Sequence, residues 1–144
     1  MSTLSLWGLR AGALSSPSYS RLSGTVHVLG VLSNDDRDAI VAGSAVMCYP
    51  SLFEGFGLPV LEAMAQGTPV VTSAGIATEE AAGGAALLVD PYDVEAIVTA
   101  LAEVLEDDAR ADQLREAGRH RAAAMSWQTH AELTKAAYRE VLGA

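Results

Sequence analysis

The chain has 144 residues and a formal net charge of −9, with 9 Lys and Arg against 18 Asp and Glu. This length allows one modest domain, and the acidic balance argues against nucleic acid or anionic lipid as the principal partner. The single cysteine, Cys48, excludes an internal disulfide and a thiolate-based structural zinc site. No apolar run approaches the roughly 18 residues of a membrane span, so we expect no transmembrane segment. With one cysteine and no disulfide, we expect a reducing, cytoplasmic location.

The beginning of the chain shows no clear periodicity. Residues 1–24 contain seven serines, two arginines and no acid. We interpret them as an unassigned, flexible or irregular extension of a fold formed by residues 25–144. A transit peptide would share the serines and the lack of acids, but two arginines are few for one, and the leucines lack the preceding positive charge of a secretory signal.

Four short apolar runs follow, and they are nearly continuous rather than alternating: residues 26–32, 45–49, 69–72 and 86–89. This pattern predicts strands that are buried on both faces. The segments between them have the length and turn residues of short helices. Ser33 and Asn34 are candidate caps for a helix over residues 34–43, and Pro59 and Gly67 bound a helix over residues 58–66. The alternation predicts an α/β fold, a partial Rossmann-like parallel sheet covered by helices.

The last third of the chain is predicted to be helical, over residues 93–105, 107–124 and 127–142. An apolar stripe runs along the first of these helices, and Ser126 is a candidate N-cap of the last. Trp127 is expected to anchor that last helix in the core. Cys48, inside an apolar run, is also expected to be a core residue.

Ligands of an open α/β sheet bind beyond the carboxyl ends of its strands, and one such end is followed by YPSLFEGFGLPVLEAMAQGTPVV, residues 49–71. Two carboxylates, Glu54 and Glu62, lie eight positions apart. Gly55 and Gly57 allow a close approach of the backbone, and the helix that follows begins with free N–H groups that favour an anion. Carboxylates accept hydrogen bonds from sugar hydroxyls, so the segment suits a ligand with both hydroxyls and phosphate. The alternative is a plain strand-to-helix turn with Glu62 as an ordinary surface residue.

This string resembles the E-x7-E segment of retaining glycosyltransferases of family 4, which have the GT-B fold. The similarity continues on both sides, from VHVLGVLSNDDRDAIVAGSAVMCYPS before it to GRHRAAAMSWQTHAELTKAAYREVL after it, so it covers about Thr25 to Leu142. One departure is Thr78-Glu79, where the family commonly has Pro-Glu.

The resemblance implies a role for each matching residue. Glu54 corresponds to the first Glu, which contacts the donor sugar in catalysis, and Glu62 to the second, which binds the ribose. The backbone amides of Gly55, Phe56, Gly57 and Leu58 would bind sugar hydroxyls and phosphate, and Ser33 would lie near the base. Such enzymes take a nucleotide-diphosphate sugar as substrate and generally need no metal or other cofactor.

The resemblance also implies that much of the enzyme is absent from this chain. Family members have a further N-terminal domain, and two further strands carry the Arg and Lys that bind the diphosphate. This sequence has no Lys or Arg between Asp38 and Ala109, but twelve acids from Asp38 to Asp108. In the strand order 3-2-1-4-5-6 the chain would hold strands 3, 4, 5 and 6. Residues 26–30 are therefore expected to lack their native partner: they pair abnormally with residues 45–49, remain a loose edge, or are completed by another polypeptide.

Three interpretations follow for function. The first is the C-terminal part of a glycosyltransferase, which supplies the E-x7-E half of a donor site for retaining transfer of a hexosyl group to a hydroxyl acceptor; the full enzyme could contact a membrane peripherally. The second is a catalytically inactive remnant or interaction module that needs another chain to complete its sheet. The third, a receiver-type signalling domain, requires clustered Asp at strand ends, where only Asp90 is found.

Overall fold

A computed structural model describes residues 4–6 and 26–143. The chain divides into two compact units, Met1–Ala39 and Ile40–Ala144, and we describe each by itself. The first unit contains strands β1 (Leu4–Leu6) and β2 (Val26–Val28) and the beginning of helix α1 (Asn34–Ala42). The second unit contains the remaining elements, which in chain order are β3 (Met47–Tyr49), α2 (Leu58–Ala65), β4 (Val70–Ser73), α3 (Ala77–Ala82), β5 (Leu87–Val89), α4 (Val94–Glu106), α5 (Asp108–Ala124) and α6 (Trp127–Leu142).

The first unit contains a two-stranded parallel sheet in which Leu4 pairs with Val26 and Leu6 with Val28. Residues 26–28 therefore neither pair with residues 45–49 nor remain a loose edge, the first two outcomes expected from the sequence; they pair with residues 4–6 of the same chain. Unpaired backbone groups on a strand edge are a template for any available strand, and residues 4–6 provide one. The rest of the predicted extension, residues 1–3 and 7–24, lies outside the described residues.

The second unit is built on a parallel sheet with the strand order β3-β4-β5. All four residues of the central strand β4 are buried. Val70 packs in a cluster with α2 and α3, whereas Val71 packs in a second cluster with β5, α4 and α5. Successive side chains of a strand point to opposite faces, so helices cover both faces of β4. This confirms the predicted α/β fold with a parallel sheet. The predicted burial on both faces holds for β4 but not for β3 and β5, whose middle residues Cys48 and Leu88 are exposed.

Two arginines of α5 lie at the C-terminal ends of α2 and α3. Arg121 donates from Nε to Ala81 O at 2.9 Å and from Nη2 to Glu80 O at 2.7 Å. The Arg119 guanidinium packs against Gly67, just beyond α2, and leaves no room for a Cβ there. Both cations therefore lie where helix C-termini favour positive charge.

Two sequence predictions about the core are wrong. Trp127 is 77% exposed, and no residue of α6 is buried; its ring instead contacts His130 edge-on, with centroids 6.4 Å apart. Cys48 is exposed because β3 is an outer strand of its sheet, and only the two residues that flank Cys48 are partly buried. The predicted N-cap is confirmed, since Ser126 Oγ accepts from Thr129 N at 3.1 Å. None of the described helices is long and apolar enough to cross a membrane.

Candidate functional site

The E-x7-E segment forms the loop after β3 and the first half of α2. Glu54 lies in the loop and is partly buried, whereas Glu62 lies in the second turn of α2 and is exposed. Its helical neighbours Leu61 and Ala63 are buried. The structure thus confirms the predicted placement of one carboxylate in the loop and one on the following helix, at the carboxyl end of a parallel strand.

Two hydroxyl groups hold the carboxylate of Glu54. Tyr49 Oη donates to Glu54 Oε1 at 2.5 Å, and Ser51 Oγ donates to the same oxygen at 2.9 Å. Burial, together with the hydrogen bond to Glu54 and its negative charge, raises the pKa of Tyr49 to about 12. Sequence reasoning missed both partners, because a loop that folds back over five residues has no helical or strand periodicity.

The backbone of the loop presents a run of free donors. Within the described part of the chain, the N–H groups of Gly55, Phe56, Gly57 and Leu58 donate no hydrogen bond. Gly57 is the N-cap of α2, with φ 96 and ψ 36, a left-handed conformation that glycine adopts without strain. Free amides at a helix N-terminus attract oxygen acceptors and anions.

Gly57 also fixes the loop against α3. A Cβ at this position would be 3.2 Å from Thr78 Cα and 3.2 Å from Ala81 Cβ. Thr78, which occupies the place of the expected proline, is buried and donates from Oγ1 to Ser73 O at 3.0 Å. The threonine therefore satisfies the last carbonyl of β4, which a proline side chain could not do, and the departure leaves the loop packing intact.

Ser33 belongs to the first unit of the chain and caps α1. Its Oγ donates to Asp36 Oδ2 at 2.7 Å and lies 3.2 Å from Asp36 N, which donates to it. The predicted cap is confirmed. The predicted contact of Ser33 with a nucleotide base stays a prediction, as do the donor contacts of Glu54, Glu62 and the loop amides.

The positive charges of the second unit that have described contacts are held by groups outside residues 49–58. Arg119 is at the C-terminal end of α2, and the eight residues of that helix put about 12 Å between this end and Gly57. Arg121 is at the C-terminal end of α3, where its guanidinium is bound by the carbonyls of Glu80 and Ala81. Arg110, Arg115 and Lys135 pair with Glu103, Asp112 and Glu132 on the helices. Among the described residues, no group of three or more His, Cys, Asp or Glu could hold a metal ion; that the reaction needs none stays a prediction.

Comparisons with known proteins agree on one family. The family model "Glycosyl transferases group 1" matches residues 19–121. The chain is 39% identical over 125 residues to an MMP alpha-(1->4)-mannosyltransferase of Mycolicibacterium hassiacum, and the match covers 84% of this chain and 30% of that protein. It is 37% identical over 116 residues to the O-antigen chain mannosyltransferase B of Escherichia coli, and this match covers 81% of this chain and 30% of that protein.

A solved structure is similar to this chain in both sequence and fold. Sucrose-phosphate synthase from Thermosynechococcus elongatus superimposes with a TM-score of 0.76 at 31% identity, and the match covers 88% of this chain and 32% of that one. The chain thus spans about a third of the length of the relatives that it matches.

Proposed function

The chain belongs to the glycosyl transferases group 1 family, and from this premise we propose that it supplies the E-x7-E half of a donor site for a nucleotide-diphosphate sugar. One observation carries the proposal. The carboxylate of Glu54, the four free amides of residues 55–58 and the beginning of α2 lie together after β3, and Glu62 follows one turn later. This combination offers acceptors for hydroxyls and donors for phosphate in one loop.

Each part of the loop suits one part of the ligand. Glu54 contacts the hexose hydroxyls, the amides of Gly55, Phe56, Gly57 and Leu58 bind hydroxyl and phosphate oxygens, and Glu62 binds the ribose hydroxyls. The similarity to two mannosyltransferases makes a hexosyl donor the first choice of substrate.

The reaction that we propose for the complete site is that of family 4, with retention of configuration. The acceptor hydroxyl attacks the anomeric carbon on the face that the diphosphate leaves. The new carbon–oxygen bond forms as the bond to the phosphate oxygen breaks, and the leaving phosphate takes the acceptor proton. A site of this kind stabilises the diphosphate with fixed donors and cations rather than with a metal.

The charge distribution favours a site that needs residues beyond this loop. Arg119 lies at the far end of α2, two carbonyls of α3 bind the Arg121 guanidinium, and no Lys or Arg occurs between Asp38 and Ala109. We propose that a further domain, or a complementary chain, provides the cations for the diphosphate. This supports weak binding and no turnover by the isolated chain, in line with the second interpretation of the sequence.

Binding of a nucleotide-sugar panel tests the proposal. We expect calorimetry to detect weak binding of GDP-mannose or UDP-glucose, and weaker binding after Glu62→Ala. Glu132→Ala is the matched control, because this exposed glutamate lies on α6 in an ion pair with Lys135. Equal affinity in wild type and Glu62→Ala would contradict the site assignment.

A further inference from the structure

Both described hydrogen bonds to the Glu54 side chain reach the same oxygen. Tyr49 Oη and Ser51 Oγ donate to Oε1, and within the described residues Oε2 accepts none. A carboxylate has about four acceptor positions on its two oxygens. Two donors on one oxygen fix the rotation of the group and leave the other oxygen available to a ligand.

The two donors are themselves fixed to the centre of the sheet. Thr72 Oγ1 donates to Tyr49 O at 2.9 Å, and Ser73 Oγ donates to Ser51 O at 2.6 Å. Thr72 and Ser73 belong to β4 and are fully buried. The Glu54 carboxylate is therefore connected through Tyr49 and Ser51 to the buried central strand of the second unit, although it lies in a loop.

We propose that Tyr49 and Ser51 are positioning residues for the donor sugar: by holding Glu54 Oε1, they present Oε2 to the sugar hydroxyls. The inference rests on the proposed function and adds to it the residues that set the geometry of the hexose subsite. Preorganising an acceptor reduces the cost of ordering it when the ligand binds. Loss of either hydroxyl should therefore weaken recognition of the hexose and leave recognition of the nucleotide unchanged.

The first arm of the test needs no ligand. Tyrosinate absorbance at 295 nm is followed during alkaline titration in wild type, Tyr49→Phe, Glu54→Gln and the control Tyr138→Phe, whose ring is 67% exposed on α6. We expect Tyr49→Phe to remove the tyrosine with a pKa of about 12. Glu54→Gln should lower that pKa, though not to its usual value because burial remains. An unchanged titration in Glu54→Gln would overturn the inference.

The second arm compares sugar-bearing and sugar-free ligands. Dissociation constants of GDP-mannose and GDP, and of UDP-glucose and UDP, are measured by calorimetry or ligand-observed NMR. We expect Tyr49→Phe and Ser51→Ala to weaken sugar-nucleotide binding about fivefold, the equivalent of one hydrogen bond. Binding of the free nucleotide should not change, and Tyr138→Phe should change neither. An equal loss for both ligands would show a merely structural role and would overturn the inference.

The outcomes separate this inference from the proposed function. Binding that depends on Glu62 but not on Tyr49 or Ser51 refutes the positioning role alone. If wild type binds none of the four ligands, the proposed function fails, and the positioning role fails with it.

Discussion

Replacement of Gly57 by alanine tests the packing that positions the loop. The alanine must adopt the φ of 96° that Gly57 has, and this left-handed conformation costs a non-glycine residue about 1–2 kcal/mol. It must also fit 3.2 Å from Thr78 Cα and Ala81 Cβ, and overpacking of this kind costs about 1–3 kcal/mol. We therefore expect Gly57→Ala to lower the free energy of unfolding by about 2–5 kcal/mol, a large part of the 5–15 kcal/mol typical of a domain.

Urea unfolding followed by circular dichroism measures this loss. With an m-value of about 2 kcal/mol/M, the midpoint should fall by about 1–2.5 M. Gly84→Ala is a matched control, because Gly84 has φ 84 but open space around its Cβ position, so only the backbone term of about 1–2 kcal/mol applies. Gly55→Ala, with open space and no positive φ, should stay within about 0.5 kcal/mol of wild type. A loss in Gly57→Ala no greater than in Gly84→Ala would refute the packing of the loop against α3.

Three further predictions follow from the described contacts. Arg121→Ala should lower the free energy of unfolding by about 1–2 kcal/mol, because two hydrogen bonds to the end of α3 are lost. In the same urea experiment Arg115→Ala should cost under about 0.5 kcal/mol, because Arg115 pairs with the exposed Asp112 on the surface of α5. Folding raises the pKa of Tyr49 from 10.0 to about 12, so the stability from its protonated form is complete below pH 10 and disappears as the pH rises to about 12. The free energy of unfolding, measured with urea over this range, should therefore fall less steeply in Tyr49→Phe, with a difference of up to about 1 kcal/mol because the ring is partly exposed. Equal slopes in wild type and Tyr49→Phe would contradict this. The isolated chain should release no nucleoside diphosphate from a panel of hexose donors, and measurable turnover would refute the need for external cations.

Much of the second unit follows from local sequence patterns. Buried parallel strands leave nearly continuous apolar runs, so the three strands β3 to β5 and the helices between them lie close to their predicted positions. The turn residues also gave correct ends: α2 begins next to Pro59 and ends before Gly67, and Ser126 caps α6. The E-x7-E spacing placed Glu54 in the loop and Glu62 on the helix because Leu58-Pro59 is a strong helix start.

What the sequence did not predict depends on contacts between distant residues. The pairing of β1 with β2 joins residues more than twenty positions apart, and no local pattern announces it. The expected burial of Trp127 is wrong because burial depends on whether another element packs against α6, and no residue of α6 is buried. The hydroxyls on Glu54 were missed for a similar reason, since their alignment requires Thr72 and Ser73 of β4 to bind the carbonyls of Tyr49 and Ser51.

The most direct test of the central claim is a titration of the purified chain with GDP-mannose and UDP-glucose, in wild type and in Glu62→Ala. We expect weak binding by wild type and a dissociation constant at least about tenfold higher in Glu62→Ala, because a charged hydrogen-bond acceptor for the ribose is lost. Absence of binding to either ligand, or an unchanged dissociation constant in Glu62→Ala, would contradict a donor half-site built on the E-x7-E segment.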